Sequence, residues 1–325
     1  MANENFDKIV VLLADAKAEM RRLVHDAFRN FGLRGVRDYS SVKALQASIA
    51  SNVQPDLIVT DARFPDGEVF GLVERMRRGD LGNNPFVPVI LMTWNADADL
   101  IKKAVDCGVD YILAAPISPQ DVFKRIQILI ADRKPFVVTS DYIGPDRRRD
   151  PSRGDSDIPL IDVPNTLRSR ALGETVDLDA LDAMVQETMA EVNEQRLIRH
   201  SYQINLLVGM ILPAYASGKV TPEIQIHVQK LAAVAEEVRD RLIGSRFEHV
   251  GELCQNLSDV PDSIHSNWEK PSRKDIDLLT PLSQAVLASF NPKRDSSEMA
   301  GEIAGMVSKF SGKINEEARR QLAEA

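Results

Sequence analysis

Cysteine is scarce: Cys107 and Cys254 are the only two in 325 residues. They lie far apart, with no Cys or His neighbour at metal-ligand spacing, which excludes a disulfide framework and a zinc site and fits a reducing cytoplasm. Long apolar runs are missing as well. The most apolar stretch, INLLVGMILPAYA, falls well short of the roughly 20 residues that a membrane-spanning helix needs. The N-terminus, MANENFDKIVVLLADAK, has no basic stretch ahead of its apolar segment, unlike a secretory signal, so the sequence reads as cytoplasmic with no membrane partner. There is no glycine-rich nucleotide loop and no Ser-His-Asp ordering. Basic excess is also lacking. Residues 1–134 hold 18 basic and 18 acidic side chains, so the remaining 22 basic and 30 acidic residues carry the whole net charge of -8. Duplex DNA is bound by Lys and Arg neutralising phosphates, which makes a DNA-binding output unexpected.

What is present begins with an alternation. From Lys8 to about Lys134, apolar strand-like runs take turns with helical patterns. KIVVLLA, a weak GVRDYS, DLIVTD, VPVILMT and DYILAAP read as strands. MRRLVHDAFRNFG, VKALQASIASN, VFGLVERMRR, LIKKAVDCG and DVFKRIQILIADR read as helices. Five strands alternating with five helices predict a doubly wound α/β domain with a parallel sheet covered on both faces. Gly32 and Gly108 stand where helix C-caps are expected. In such folds ligands sit at the carboxyl ends of the strands, where Asp15, Asp61, Thr93 and Ala115 fall.

Residues 135–177 differ: Pro135, Pro145, Pro151, Pro159 and Pro164 interrupt a stretch rich in Asp, Arg and Ser. This reads as a linker with a short ordered piece at FVVTSDYIG. Residues 178–325 read as helical. Leu181, Val185 and Val192, then Ile204, Leu207, Val208 and Ile211, repeat at helical spacing up to Pro213. Thr221 and Pro222 start a helix that Gly244 closes, and Pro281 starts another that runs to Phe290. Met299, Ile303, Val307, Phe310 and Ile314 share one face at a spacing that suits a bundle or coiled-coil seam.

The strand-ending runs LLADAKAEMRR, PDLIVTDARFP, PVILMT and ILAAP together resemble the receiver domain of bacterial response regulators, the fold of the chemotaxis regulator CheY. That resemblance implies a phosphoryl group caught from a partner histidine kinase on Asp61, with Thr93 as the switch hydroxyl and Mg2+ held by Asp15 and Asp61. A carboxylate attacking phosphorus brings negative charge to a negatively charged centre, so a cation and fixed donors must hold the other oxygens.

Four departures converge on that pocket. Ala16 replaces the second acid of the usual pair, which weakens a hard-cation site. Ala114, Ala115 and Pro116 stand where the family has Lys-Pro. Trp94 follows the switch Thr93 where a small residue is usual. The aromatic switch position is Ile112, with Tyr111 pointing the other way. Arg63, two residues after Asp61, is the candidate compensation, as an ion pair with Asp61 in a receiver that binds Mg2+ weakly or not at all. Two readings follow: a divergent receiver set by partner binding, or a phosphorylation-competent one.

Two further features carry alternatives. Arg148, Arg149 and Arg153 in RRDPSR match half of a cyclic-di-GMP motif of PilZ domains, since arginine forks suit phosphate, but a solvated Arg-rich linker accounts for them as well. His200, on a helix, invites a phosphotransfer reading against that of an ordinary half-exposed histidine. The expectation is a regulatory protein rather than an enzyme: a receiver-like domain at 1–134, a linker at 135–177 and an α-helical domain at 178–325. The helical part would act by protein–protein contact or as a homodimer, because amphipathic stripes must bury against something.

Overall fold

The computed structural model describes residues 6–51, 53–148 and 158–292. The chain divides into two compact units, Met1–Val192 and Asn193–Ala325. The first carries a five-stranded sheet of β1 (Val10–Ala14), β2 (Gly35–Tyr39), β3 (Leu57–Asp61), β6 (Val89–Thr93) and β7 (Tyr111–Ala114), in the order β2-β1-β3-β6-β7. Every pairing in it is parallel.

Side chains alternate across a strand, and the alternation sorts them into two cores. Val11, Leu13, Val59 and Ile90 face α1 (Ala18–Asn30) and α5 (Pro119–Ala131), meeting Val24, Phe28, Val122 and Ile126. Leu12, Ile58 and Leu91 face the opposite way, toward α2 (Val42–Ala50), α3 (Phe70–Arg77) and α4 (Ala98–Asp106). β3 and β6 are buried at every position. That is why their sequences are unbroken apolar runs rather than alternating ones. Each fully buried aliphatic side chain here contributes about 1.5–3 kcal/mol of transfer free energy. Helix starts are fixed locally: Ser118 and Asp121 form a reciprocal capping box ahead of α5, and Asp97 caps α4. The expected closures at Gly32 and Gly108 have φ of 91° and 86°, a region that costs glycine little. A short antiparallel pair, β4 (Arg63–Phe64) with β5 (Gly67–Glu68), follows β3.

The stretch expected as a linker holds more order than its prolines suggested. β8 (Phe136–Val138) and β9 (Ile143–Pro145) form an antiparallel hairpin, Ile161 bridges Phe136, and α6 (Thr166–Ala171) follows. Pro135, Pro145 and Pro164 lie at the ends of these short elements, where a missing N–H costs least. Phe136 is fully buried. Its ring lies 5.2 Å from the guanidinium of Arg77 and 5.2 Å from that of Arg133. Gly108 and Gly144 permit the hairpin to lie close, because a Cβ on Gly108 would meet the Ile143 carbonyl oxygen at 2.4 Å.

The helix α7 (Leu178–Ser217) runs on through Pro213 rather than stopping there, so that expectation is corrected. A proline near a helix end forfeits one hydrogen bond, and the buried stripe of Ile204, Leu207 and Ile211 before it outweighs that loss. The line between the two units falls inside α7. Leu181, Val185 and Val192 belong to a cluster with Phe86 and Phe136 of the first unit.

The second unit continues with α8 (Pro222–Leu242), α9 (Gly251–Ser266) and α10 (Arg273–Phe290). Its core joins Leu231 and Val238 of α8 to Leu257 and Ile264 of α9 and to Leu279 and Val286 of α10. Pro281 lies inside α10 rather than at its start, because Ser272 caps the helix two turns earlier. The seam read at Met299 to Ile314 lies outside the described residues. No helix among the described residues is long and apolar enough to cross a membrane.

Candidate functional site

Because the sheet is parallel, β1, β3 and β6 end on the same side, and they are neighbours in it. This brings three of the sequence-predicted residues together. Asp15 follows β1, Asp61 ends β3 and Thr93 ends β6, at 1%, 8% and 2% exposure. Carboxylates so far removed from water need partners, and these have few. One oxygen of Asp61 accepts the Ala62 N–H at 2.7 Å. Oδ1 of Asp15 accepts the Lys17 N–H at 2.7 Å, while its Oδ2 is buried with no hydrogen-bond partner. Burial pushes the Asp61 carboxyl up to about 6 and the charge of Asp15 pushes the same way, against the Ala62 and Arg63 N–H groups and the charge of Lys17. Asp15 is raised too, chiefly by burial, with the Lys17 N–H and the charges of Lys17 and Arg21 opposing. The Thr93 hydroxyl is turned to the loop beyond it, donating to the Asn95 carbonyl at 3.0 Å.

The expected Arg63–Asp61 ion pair is not formed. Arg63 is half exposed on β4, and its guanidinium reaches Glu68 at 3.3 Å and Asp97 at 3.7 Å. Its strand position turns the side chain out to solvent, where Glu68 of the paired strand β5 and Asp97 at the start of α4 collect it. Asp61 has no salt bridge to any side chain among the described residues.

The end of β7 does reach the pocket, since the Ala115 N–H donates to the Thr93 carbonyl at 2.8 Å. It brings only a methyl group, however. Ile112 and Tyr111 face opposite cores as their alternation requires, and Trp94 is 43% exposed at the rim.

Two adjacent carboxylates, one with an unpartnered buried oxygen, fit a small hard cation such as Mg2+. Among the described residues no group of three or more His, Cys, Asp or Glu could hold a metal, so Asp15 and Asp61 would be its side-chain ligands. The residue that sequence reasoning missed is Lys17. Its ammonium lies 5.1 Å from the centre of the Trp94 ring, and its charge acts on both acids. Only the strand order reveals it, because the loop after β1 and the loop after β6 flank β3.

The remaining candidates lie elsewhere. Arg148 pairs with Asp146 at 2.8 Å, and Arg149 and Arg153 lie outside the described residues. His200 is 1% exposed rather than half exposed. Its Nε2 is 3.4 Å from Glu237 and its Nδ1 3.2 Å from Gln203, which places it in a buried polar network of the second unit.

Comparison with known proteins bears on the first unit. The family described as response regulator receiver domain matches residues 11–127. Hybrid signal transduction histidine kinase D of Dictyostelium discoideum is 27% identical over 128 residues, which is 39% of this chain and 8% of that protein. Sensor histidine kinase RcsC of Escherichia coli is 28% identical over 127 residues, 39% of this chain and 13% of its own length. The chain thus spans about a tenth of these curated relatives. A solved receiver domain protein (CheY-like) from Methanospirillum hungatei is 19% identical, covering 38% of this chain and 95% of its own, with a TM-score of 0.35. What the comparisons identify is therefore the segment 11–127, which matches the response regulator receiver domain family.

Proposed function

We propose that the chain is a two-component response regulator whose Asp61 accepts a phosphoryl group from a histidine kinase, and whose helical unit passes the signal on by protein contact. The observation that carries this reading is the state of Asp61. It is buried between Asp15 and Thr93, accepts the Ala62 N–H and forms no salt bridge among the described residues. Asp15 and Asp61 would hold Mg2+, which supplies countercharge to the phosphoryl oxygens when bound. The Thr93 hydroxyl, at the end of the neighbouring strand and now donating to the Asn95 carbonyl, would exchange that partner for a phosphoryl oxygen and so suits a switch.

Ala16 and Ala115 leave the pocket short of ligands, which predicts slow phosphorylation rather than none. Output by contact is supported by the apolar helical core of the second unit and by the acidic balance of residues 135–325, 22 basic against 30 acidic, which disfavours DNA. Two free, buried thiols fit a cytoplasmic setting. The test is labelling of the full chain with radioactive acetyl phosphate or a phosphorylated kinase, in wild type and Asp61→Asn. Wild type should take up close to one phosphoryl group and the variant none; equal labelling of both would remove Asp61 from the role.

A further inference from the structure

Asp61 stands on β3, between β1 and β6. Strands in a sheet lie about 4.8 Å apart, so the loops after β1 and β6 face each other across the end of β3. Lys17 is rooted in the first loop, where its N–H is tied to Asp15 Oδ1 at 2.7 Å. Its ammonium lies 5.1 Å from the ring centre of Trp94, which projects from the second loop. The contact of these two side chains therefore spans the mouth beside Asp61, and the Lys17 charge acts on the Asp61 carboxyl. Lys17 is exposed and makes no salt bridge among the described residues. Its ammonium rests on an aromatic face, worth about 0.5–1 kcal/mol at an exposed site. A phosphoryl oxygen would compete well, since charge-assisted hydrogen bonds are roughly twice as strong as neutral ones.

We propose that Lys17 is the side chain that grips a phosphoryl oxygen during transfer to Asp61 and afterwards, and that Trp94 holds its ammonium over the pocket until then. The proposal rests on the reading of Asp61 as phosphoacceptor. In the step, an Asp61 oxygen attacks the phosphorus of an acyl phosphate. The bond from phosphorus to the acyl oxygen breaks, and the departing carboxylate keeps the electron pair. Lys17 keeps all its protons and donates a hydrogen bond to an equatorial oxygen, so charge and atoms balance. The arrangement supplies from the β1 side the cation that Ala115 cannot supply from β7. It also gives the bulky Trp94 a purpose.

The experiment is acetyl phosphate labelling of the full chain in a Trp268→Phe background, with Trp94 fluorescence followed in parallel. Lys17→Gln should label at least about tenfold more slowly, the scale on which single electrostatic donors act on transition states. Lys17→Arg should stay within about threefold of wild type by keeping the charge. Labelling should change Trp94 emission in the parent and leave it unchanged in Lys17→Gln. Lys17 is exposed, so neither variant threatens folding. A Lys17→Gln rate equal to the parent's, or an Arg variant as slow as the Gln one, overturns the proposal while Asp61 keeps its role. Failure of the parent itself to label at Asp61 overturns both.

Discussion

The two ends of the central sheet treat aspartate in opposite ways. At the amino end, Asp56 directly precedes β3 and Asp110 directly precedes β7, and each stitches in a neighbouring strand. Asp56 accepts the Val10 N–H that opens β1 at 2.9 Å, and Asp110 accepts the Val89 N–H that opens β6 at 2.9 Å. Each also meets arginine from afar: Arg170 at 2.9 Å for Asp56, and both Arg77 at 3.0 Å and Arg133 at 2.9 Å for Asp110. At the carboxyl end, Asp15 and Asp61 have backbone donors and one another, and one oxygen has no partner at all. The amino end spends its acids on holding strands and hairpin together. The carboxyl end leaves its acids under-satisfied, and that electrostatic discomfort is what an incoming cation or phosphoryl group can relieve.

The sharpest way to break this contrast is to disarm the amino end. Arg77 is 1% exposed and donates to the Gly108, Pro85 and Val87 carbonyls as well as to Asp110. Burial pulls it down to about 10, with Asp110 opposing and Arg133 adding to the fall, so it is charged at neutral pH. Asp110→Asn leaves that charge buried without its counter-ion and should cost about 3–5 kcal/mol. Urea unfolding of the first unit, followed by Trp94 in a Trp268→Phe background, measures it. A loss below about 1 kcal/mol would show that the carbonyls alone suffice.

The same substitution at the other end should act with the opposite sign. Asp61 is raised from 3.8 to about 6. Below pH 3.8 it is protonated folded and unfolded alike and makes no difference. As pH rises from 3.8 through 6, the unfolded chain ionises more readily than the buried carboxyl and stability is lost, the loss being complete above the folded value. Asp61→Asn should therefore stabilise the first unit by about 2–3 kcal/mol at pH 7.5 without divalent cation, and by nothing at pH 3.5. Equal unfolding midpoints at pH 7.5 would mean the carboxylate is already satisfied.

A third acid tests whether the saturated pattern extends to the second unit. Burial pushes Glu237 up, but the hydrogen bond from His200, the charge of Arg196 and the bond from Arg241 prevail and hold it at about 2, down from 4.5. Its contribution is present above pH 4.5 and is lost as pH falls toward 2. Glu237→Gln should lower stability by about 2 kcal/mol at neutral pH, after allowance for its partial exposure. Unfolding read by Trp268 in a Trp94→Phe background reports this, and an effect of equal size at pH 2 would refute the electrostatic account.

Much of this was legible in the residues. The unbroken runs DLIVTD and VPVILMT marked strands buried on both faces, and the polar residue ending each marked the side where a ligand would sit. Periodicity misjudged the prolines. Pro213 read as the stop of one helix and Pro281 as the start of another, yet both lie inside helices whose apolar stripes are strong enough to carry them. The Arg63 assignment failed for a related reason: sequence distance placed it two residues from Asp61, but Arg63 belongs to β4, paired with β5, where Glu68 faces it and Asp97 also comes within reach.

The sequence by itself determined the five strands and five helices of the sheet domain, which faces are apolar, and that Asp15, Asp61 and Thr93 come at strand ends. Those are local properties, set by side-chain alternation and by capping within a few residues. Only the tertiary structure decided who meets whom: Lys17 with Trp94, Arg77 and Arg133 with Asp110, Glu237 with His200. In the sheet, strand order permutes chain order, so β3 lies between β1 and β6. Contacts across its end join residues nearly eighty positions apart, which no local pattern could announce.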